Sequence, residues 1–311
     1  MKREILYTLK SPFRDDFKIQ GFRFGSGTKR VAIVGPMRGD EVQQQFVCSQ
    51  IVQALSRIEA AGELLPDQEI LVVPSANPFS MNIGSRFWAM DDTDINRMFP
   101  GYSKGETTQR IAAALFEQLQ GYQYGIQLAS YYLPGRFVPH VRMMETGRQN
   151  PELGCEFGLP YVYVRTPRIS DQTTLNYCWQ QADTQAYSLY AGKTQEIDEA
   201  AADQTLRAII RFLNGRGVIR SEQTPGQTSQ VITNDDMLTV TSKSSGLLRR
   251  VKHAGAHVRR GEQLAFIMNP LDGSVRETLK TPVTGMLFFV QDGPFITEQS
   301  PVFQILSGQK G

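Results

Sequence analysis

The chain has 311 residues, enough for one large domain and a small one. Hydrophobic content of 41%, charged content of 21% and a formal net charge of +2 describe an ordinary globular protein and give no expectation of a nucleic-acid or membrane partner. No apolar stretch approaches a membrane span and the N-terminus carries no signal-peptide core. Three widely spaced cysteines, Cys48, Cys155 and Cys178, read as reduced, buried thiols of a cytoplasmic protein.

Residues 5–9 and 17–24 alternate apolar and polar side chains and predict antiparallel edge strands, with Gly21 and Gly25 as turn signals. The continuous apolar run 31–34 predicts a strand buried on both faces. A helix is expected from Asp40 to about Ala61, with Val47, Ile51, Leu55 and Ile58 on its core face and Gly62 ending it. Residues 69–73 form the next buried strand. The segment 79–102 reads as a long irregular loop, kept ordered by Phe87, Trp88, Ile95 and Phe99. A helix over 107–120, strands over 124–128, 161–164 and 186–190, and a closing helix over 197–214 follow. Strands alternating with helices imply a mixed α/β sheet covered on both faces. The polar stretch 221–229 reads as a linker. Beyond it, short strands without helix signals imply a small all-β module, so the expected domains are 1–222 and 223–311.

The chemistry gathers where buried strands end. Arg38-Gly39-Asp40-Glu41 follows the strand over 31–34, at the crevice edge where open α/β sheets place their sites. Asn77-Pro78, Arg86 and Asp94-Ile95-Asn96-Arg97-Met98-Phe99-Pro100-Gly101 lie in and before the long loop, and Gln127-Leu128-Ala129 closes another strand. Together these segments resemble the succinylglutamate desuccinylase/aspartoacylase family of zinc-dependent acylases, which has a zinc-carboxypeptidase-like fold. Many members carry a C-terminal barrel-sandwich (lipoyl-like) module. Here Gly255, Val258, Gly261 and Leu264 match its strand-turn pattern, whereas Lys280 lacks the surroundings of a carrier lysine and reads as an ordinary exposed one.

The resemblance implies that Arg86, Asn96 and Arg97 hold substrate carboxylates, with Arg86 polarising the scissile carbonyl if the protein is active. A guanidinium fork beside a neutral donor suits that task. The family's first zinc motif is His-Gly-x-Glu. Here Glu41 keeps its place, but Arg38 stands at the histidine, and guanidinium has no lone pair for a metal. The third ligand position falls on Ala129 and the general-base position on Tyr190. A catalytic zinc needs three protein ligands and an open position, so one ligand of three remains and the site is degenerate.

Two readings of Arg38 stay open: it adds fixed positive charge to an anion pocket, or it fills the site as a salt bridge to Glu41 or Asp40. His140 is either a displaced zinc ligand beside Glu41, with Asp40 or Asp94 completing the site, or a hydrogen-bonded structural histidine. The leading expectation is a pseudoenzyme that binds a carboxylate-bearing N-acyl amino acid or peptide-like small molecule and needs no cofactor. One alternative is an active amide hydrolase whose rebuilt site takes zinc; the other is a structural, homo-oligomer-forming protein with a vestigial pocket.

Overall fold

In the computed structural model, which describes residues 1–308, the chain divides into two compact units. The expected second domain runs to residue 311, so its last three residues lie outside the described ones. The first unit comprises Met1–Ser130, Pro139–Tyr190 and Gln195–Val231. The second comprises Tyr131–Val138, Ala191–Thr194 and the chain from Ile232 on.

The first unit opens with strands β1 (Lys2–Leu9), β2 (Phe17–Gly25) and β3 (Thr28–Val34), helix α1 (Val42–Ala60), β4 (Gln68–Val73) and the short α2 (Pro78–Asn82). It continues with α3 (Thr107–Gln118), β5 (Tyr124–Leu128), β6 (Gly135–Met144), α4 (Pro151–Cys155) and β7 (Tyr161–Arg165). Helix α5 (Leu175–Gln181), β8 (Gln185–Gly192), α6 (Glu199–Gly215) and β9 (Gln230–Ile232) complete it. Its strands run in the order β1-β2-β4-β3-β5-β8-β6. Neighbours from β4 to β8 are parallel, while β1 and β2 form an antiparallel edge.

This mixed sheet is buried on both faces, as its apolar runs require. Val31, Ile33, Ile70, Val72 and Ile126 pack with Val47, Ile51 and Leu55 of α1 and Ile209, Phe212 and Leu213 of α6. Ala32, Val34, Leu71 and Val73 point the other way, onto Ile111 and Leu115 of α3 and Leu175 and Trp179 of α5. Each fully buried aliphatic side chain contributes roughly 1.5–3 kcal/mol of transfer free energy. Register pairs Val34 with Val73 on one side and Gln127 on the other, and Gln127 with Ser188. The carboxyl ends of four parallel strands are therefore level, and the segments that leave them share one rim.

The long loop is ordered, as its aromatics predict, but it is not wholly irregular. It holds α2 and a 3-10 turn over Ile95–Arg97, each begun by a capping side chain: Asn77 accepts from the Ser80 N–H and Asp94 from the Asn96 N–H. Trp88, Ile95 and Phe99 are buried beneath it. Strand β6 was not legible in the sequence, because Pro139, His140 and Arg142 interrupt its apolar pattern.

The second unit is built from β10 (Met237–Thr241), β11 (Gly246–Arg250), β12 (His257–Val258), β13 (Gln263–Met268), β14 (Val275–Lys280), β15 (Gly285–Gln291), β16 (Phe295–Ile296) and β17 (Pro301–Ser307). One sheet has the order β14-β13-β11-β16. In the other, β15 pairs with β17 and β17 with β10, and the first residues of β6 pair with β15. Val258, Leu264, Ile267, Leu287, Phe303 and Ile305 fill the unit's interior. Among the described residues, no helix is long and apolar enough to cross a membrane.

Candidate active site

The turn between β3 and α1 is built around one carboxylate. Glu41 begins α1 but does not cap it with its side chain. The carboxylate instead turns back on the turn itself. Its Oε2 accepts the backbone N–H groups of Met37 (2.9 Å) and Arg38 (3.1 Å), and its Oε1 accepts from Arg38 Nη1 (3.0 Å) and the Ser130 hydroxyl. Glu41 is 2% exposed, so a charge this deep requires such partners.

Arg38 is the hub of that network. Its side chain is 7% exposed, and besides Glu41 it donates from Nε (3.2 Å) and Nη2 (2.8 Å) to Asp94 Oδ2. Burial alone would lower the pKa of the guanidinium. The two carboxylates more than offset burial and hold the pKa above the ordinary arginine value. Asp94 thus does two jobs, capping the 3-10 turn with Oδ1 (3.0 Å from the Asn96 N–H) and neutralising Arg38 with Oδ2. Of the two salt bridges open to Arg38 from sequence, the one to Glu41 forms, and Asp94 takes the place foreseen for Asp40.

Asp40 pairs instead with Arg86, whose Nη1 lies 3.2 and 2.9 Å from its two oxygens, and Gln195 adds a bond to Asp40 at 3.2 Å. Gly39 makes this pairing geometrically feasible. A Cβ there would stand 2.3 Å from the backbone of Ser80 and of Ser85, and the Gly39 N–H donates to the Arg86 carbonyl (3.1 Å). Only a residue without a side chain lets the loop approach so closely.

Arg97 sits at the outer edge. Its Nη1 donates to the Ser170 carbonyl and to Asp171 (3.1 Å), and its Nε is 4.0 Å from Asp94. The side chain is one-third exposed, and its Nη2 donates to no acceptor among the described residues. Asp171 also receives Arg165. Burial would raise the Asp171 pKa, but the Arg168 N–H, Arg165 and Arg97 together hold it below the usual aspartate value. Asn96 turns its carbonyl to the Leu175 N–H (3.2 Å), fastening the 3-10 turn to the start of α5.

The remaining sequence candidates lie in a second group. His140 is fully buried and stacks on Tyr190 with centroids 5.0 Å apart and planes 5° from parallel. Arg142 lies 4.0 Å above the Tyr190 ring centroid and places Nη2 3.2 Å from His140 Nε2. Guanidinium only donates, so that ring nitrogen accepts and its lone pair faces Arg142 rather than a metal. His140 is not among the hydrogen-bond or ion-pair partners of Glu41. Sequence reasoning missed Ser130, Asp171, Gln195 and Arg142, none of which stands in a recognisable motif.

The family's members are typically zinc-dependent, and the groups around Glu41 here have other partners. Glu41 already accepts four hydrogen bonds, a guanidinium lies beside it, and Ala129 has no side-chain donor to offer. Among the described residues, no group of three or more His, Cys, Asp or Glu is arranged to hold a metal ion. Burial raises the thiol pKa of Cys48 to about 12 and that of Cys178 to about 11, so neither is a ready nucleophile.

Solved structures share this architecture over nearly the whole chain. The product-bound ectoine utilization protein EutE (DoeB) from Ruegeria pomeroyi is similar at 18% identity, covering 99% of this chain and 95% of its own, with a TM-score of 0.82. A succinylglutamate desuccinylase/aspartoacylase from Rhodobacter sphaeroides matches at 19% identity, 95% and 90% coverage and a TM-score of 0.79. A succinylglutamate desuccinylase from Silicibacter sp. TM1040 matches at 17% identity, 98% and 94% coverage and a TM-score of 0.82. No curated protein matches the sequence. The sequence itself matches the succinylglutamate desuccinylase/aspartoacylase catalytic domain over residues 27–216, more than half of the chain, and the protein belongs to that family.

Proposed function

We propose that this protein binds a carboxylate-bearing small molecule of the N-acyl amino acid or peptide-like class without zinc-dependent hydrolysis, as a cytoplasmic pseudoenzyme of its family. The observation that carries the reading is Arg38. Its guanidinium meets Glu41, the one retained ligand position, at 3.0 Å and neutralises it internally. Charge that a metal would supply is thus already present as a side chain. Recognition falls to the outer groups. Arg97 keeps Nη2 for a ligand carboxylate, and Arg86, about a quarter exposed, stands beside it in the motif. Asn96 sets the position of Arg97 through its bond to the start of α5.

Isothermal titration with N-succinylglutamate tests this reading. Binding without turnover, lost in Arg97→Ala, supports it. Hydrolysis of the amide, or millimolar ligand with no heat of binding, overturns it. Restoring the family's ligands with Arg38→His and Ala129→His is expected to create zinc uptake beside Glu41. No gain in zinc affinity would mean that the ligand positions lie elsewhere.

A further inference from the structure

The four-stranded sheet of the second unit has one face on the core and one on solvent. Leu248, Ile267, Leu279 and Ile296 turn inward from β11, β13, β14 and β16. Strand alternation then places their neighbours on the outer face, where polar side chains are the rule. One outer row departs from it. Register sets Leu247 opposite Phe295 on one side and Met268 on the other, and Met268 opposite Val275. The row Phe295–Leu247–Met268–Val275 thus crosses all four strands without a polar side chain. Phe295 is 70% exposed and Val275 53%. Leu271, 92% exposed, stands beside them in the turn from β13 to β14. Asn269 shapes that turn: its side-chain oxygen accepts the Leu271 N–H (3.1 Å) and its carbonyl the Gly273 N–H (3.0 Å). The exposure of Leu271 is therefore set by an ordered turn.

The row has opposite charges on its two sides. Arg249 follows Leu247 by two residues and shares its face, with its guanidinium 5.5 Å from the ring centroid of Phe266, its register partner. On the other side, past Gly246, the Glu298 N–H donates to the Ser245 hydroxyl oxygen (2.9 Å). Arg249 and Glu298 are both exposed, and neither side chain has an ion-pair partner among the described residues. A closed dimer uses the same patch on both copies, and two simple arrangements bring the rows together. A two-fold axis along the strands lays the Arg249 side of one copy on the Arg249 side of the other, like charge on like. An axis along the row lays the Arg249 side of each copy on the Glu298 side of the other and stacks Phe295 on its own mate. The second arrangement is complementary in charge as well as apolar at its centre.

We propose that this row is the contact surface of a homodimer, in which two copies of the chain pack outer sheet face on outer sheet face and Arg249 of each meets Glu298 of the other. The occupant is a second copy because the surface carries its own electrostatic complement. Five apolar side chains offer less than the about 800 Å² per partner of a standard stable interface. The dimer is therefore weak and forms in a concentration-dependent way.

The test is sedimentation velocity of the full chain over a wide concentration range, and a reversible monomer–dimer equilibrium is expected. Phe295→Ser is expected to weaken association at least about tenfold. Its thermal melt at low concentration is expected to be unchanged, because the ring lies outside the core. Arg249→Glu and Glu298→Arg are each expected to weaken association about tenfold, by setting like charges against one another. Mixed in equal amounts, these two variants are expected to associate as well as the unaltered chain, since every facing pair is then of opposite sign. The proposal is overturned if the chain is monomeric at every concentration, if Phe295→Ser leaves the dimer intact, or if the mixture associates no better than its components. In the first case, binding of the monomer to phosphatidylcholine vesicles would give the row to a lipid surface.

Discussion

Arg38 and Arg97 belong to one charge network and do opposite things in it. Both approach Asp94, but Arg38 is 7% exposed and divided between Asp94 and Glu41, whereas Arg97 is one-third exposed and leans outward on Asp171. The inner arginine completes the interior, because a buried carboxylate without a counter-charge costs several kcal/mol. The outer one adds little to stability and keeps hydrogen-bonding capacity on its exposed side, where ligand binding is proposed. A guanidinium is thus part of the core beside Glu41, and the proposed recognition lies at the rim.

The largest expected effect breaks the inner half of this comparison. Arg38→Ala leaves Glu41 and Asp94 without their cation, and a loss of about 3–5 kcal/mol is expected in denaturant unfolding. Arg38→Met combined with Glu41→Gln removes both charges and is expected to recover much of that loss. A double variant no more stable than the single one would mean that Arg38 does not act by neutralising Glu41.

Gly39→Ala tests how the two halves are joined. The new Cβ meets the backbone of Ser80 and Ser85, so about 1–3 kcal/mol of destabilisation is expected, with weaker ligand binding as Arg86 is displaced. A variant of wild-type stability and affinity would show that this close approach is unnecessary.

Acid tests the outer arginine through its partner Asp171. The Asp171 pKa lies below its unfolded value, so Asp171 contributes stability above the ordinary aspartate range near pH 4. That contribution is lost as the pH falls through its lower folded value. Arg38 is shifted upward, so its contribution persists to the top of the accessible pH range. Asp171→Asn is therefore expected to flatten stability below about pH 4. An unchanged acid limb in unfolding curves would remove Asp171 from the account.

The smallest expected change in stability is that of Arg97→Ala, within about 1 kcal/mol because its pair is partly exposed. Its expected effect on N-succinylglutamate binding is near-complete loss, and that mismatch is the signature of a rim residue. A large fall in stability would make Arg97 another interior brace.

The sheet and its helices were legible because Val31–Val34 and the stripes of α1 and α6 obey simple periodicities. The residues from Asn77 to Gly101 pointed to the candidate site through their resemblance to the family's motif. Their partners were not legible. Asp171 lies 74 positions from Arg97, and no local pattern announces that the two meet. Helix α5 was missed because its buried polar residues break the apolar pattern. The Asn176 amide donates to Ser188 (3.0 Å) and the Gln180 amide to the Met144 carbonyl (3.0 Å), contacts that exist only once the chain has folded.

The central claim is that an arginine side chain has replaced the metal's charge beside Glu41. Elemental analysis of the protein purified without chelators or added metal tests it most directly. The account predicts no stoichiometric zinc and no uptake on dialysis against it. Near-stoichiometric zinc that survives buffer exchange would contradict it.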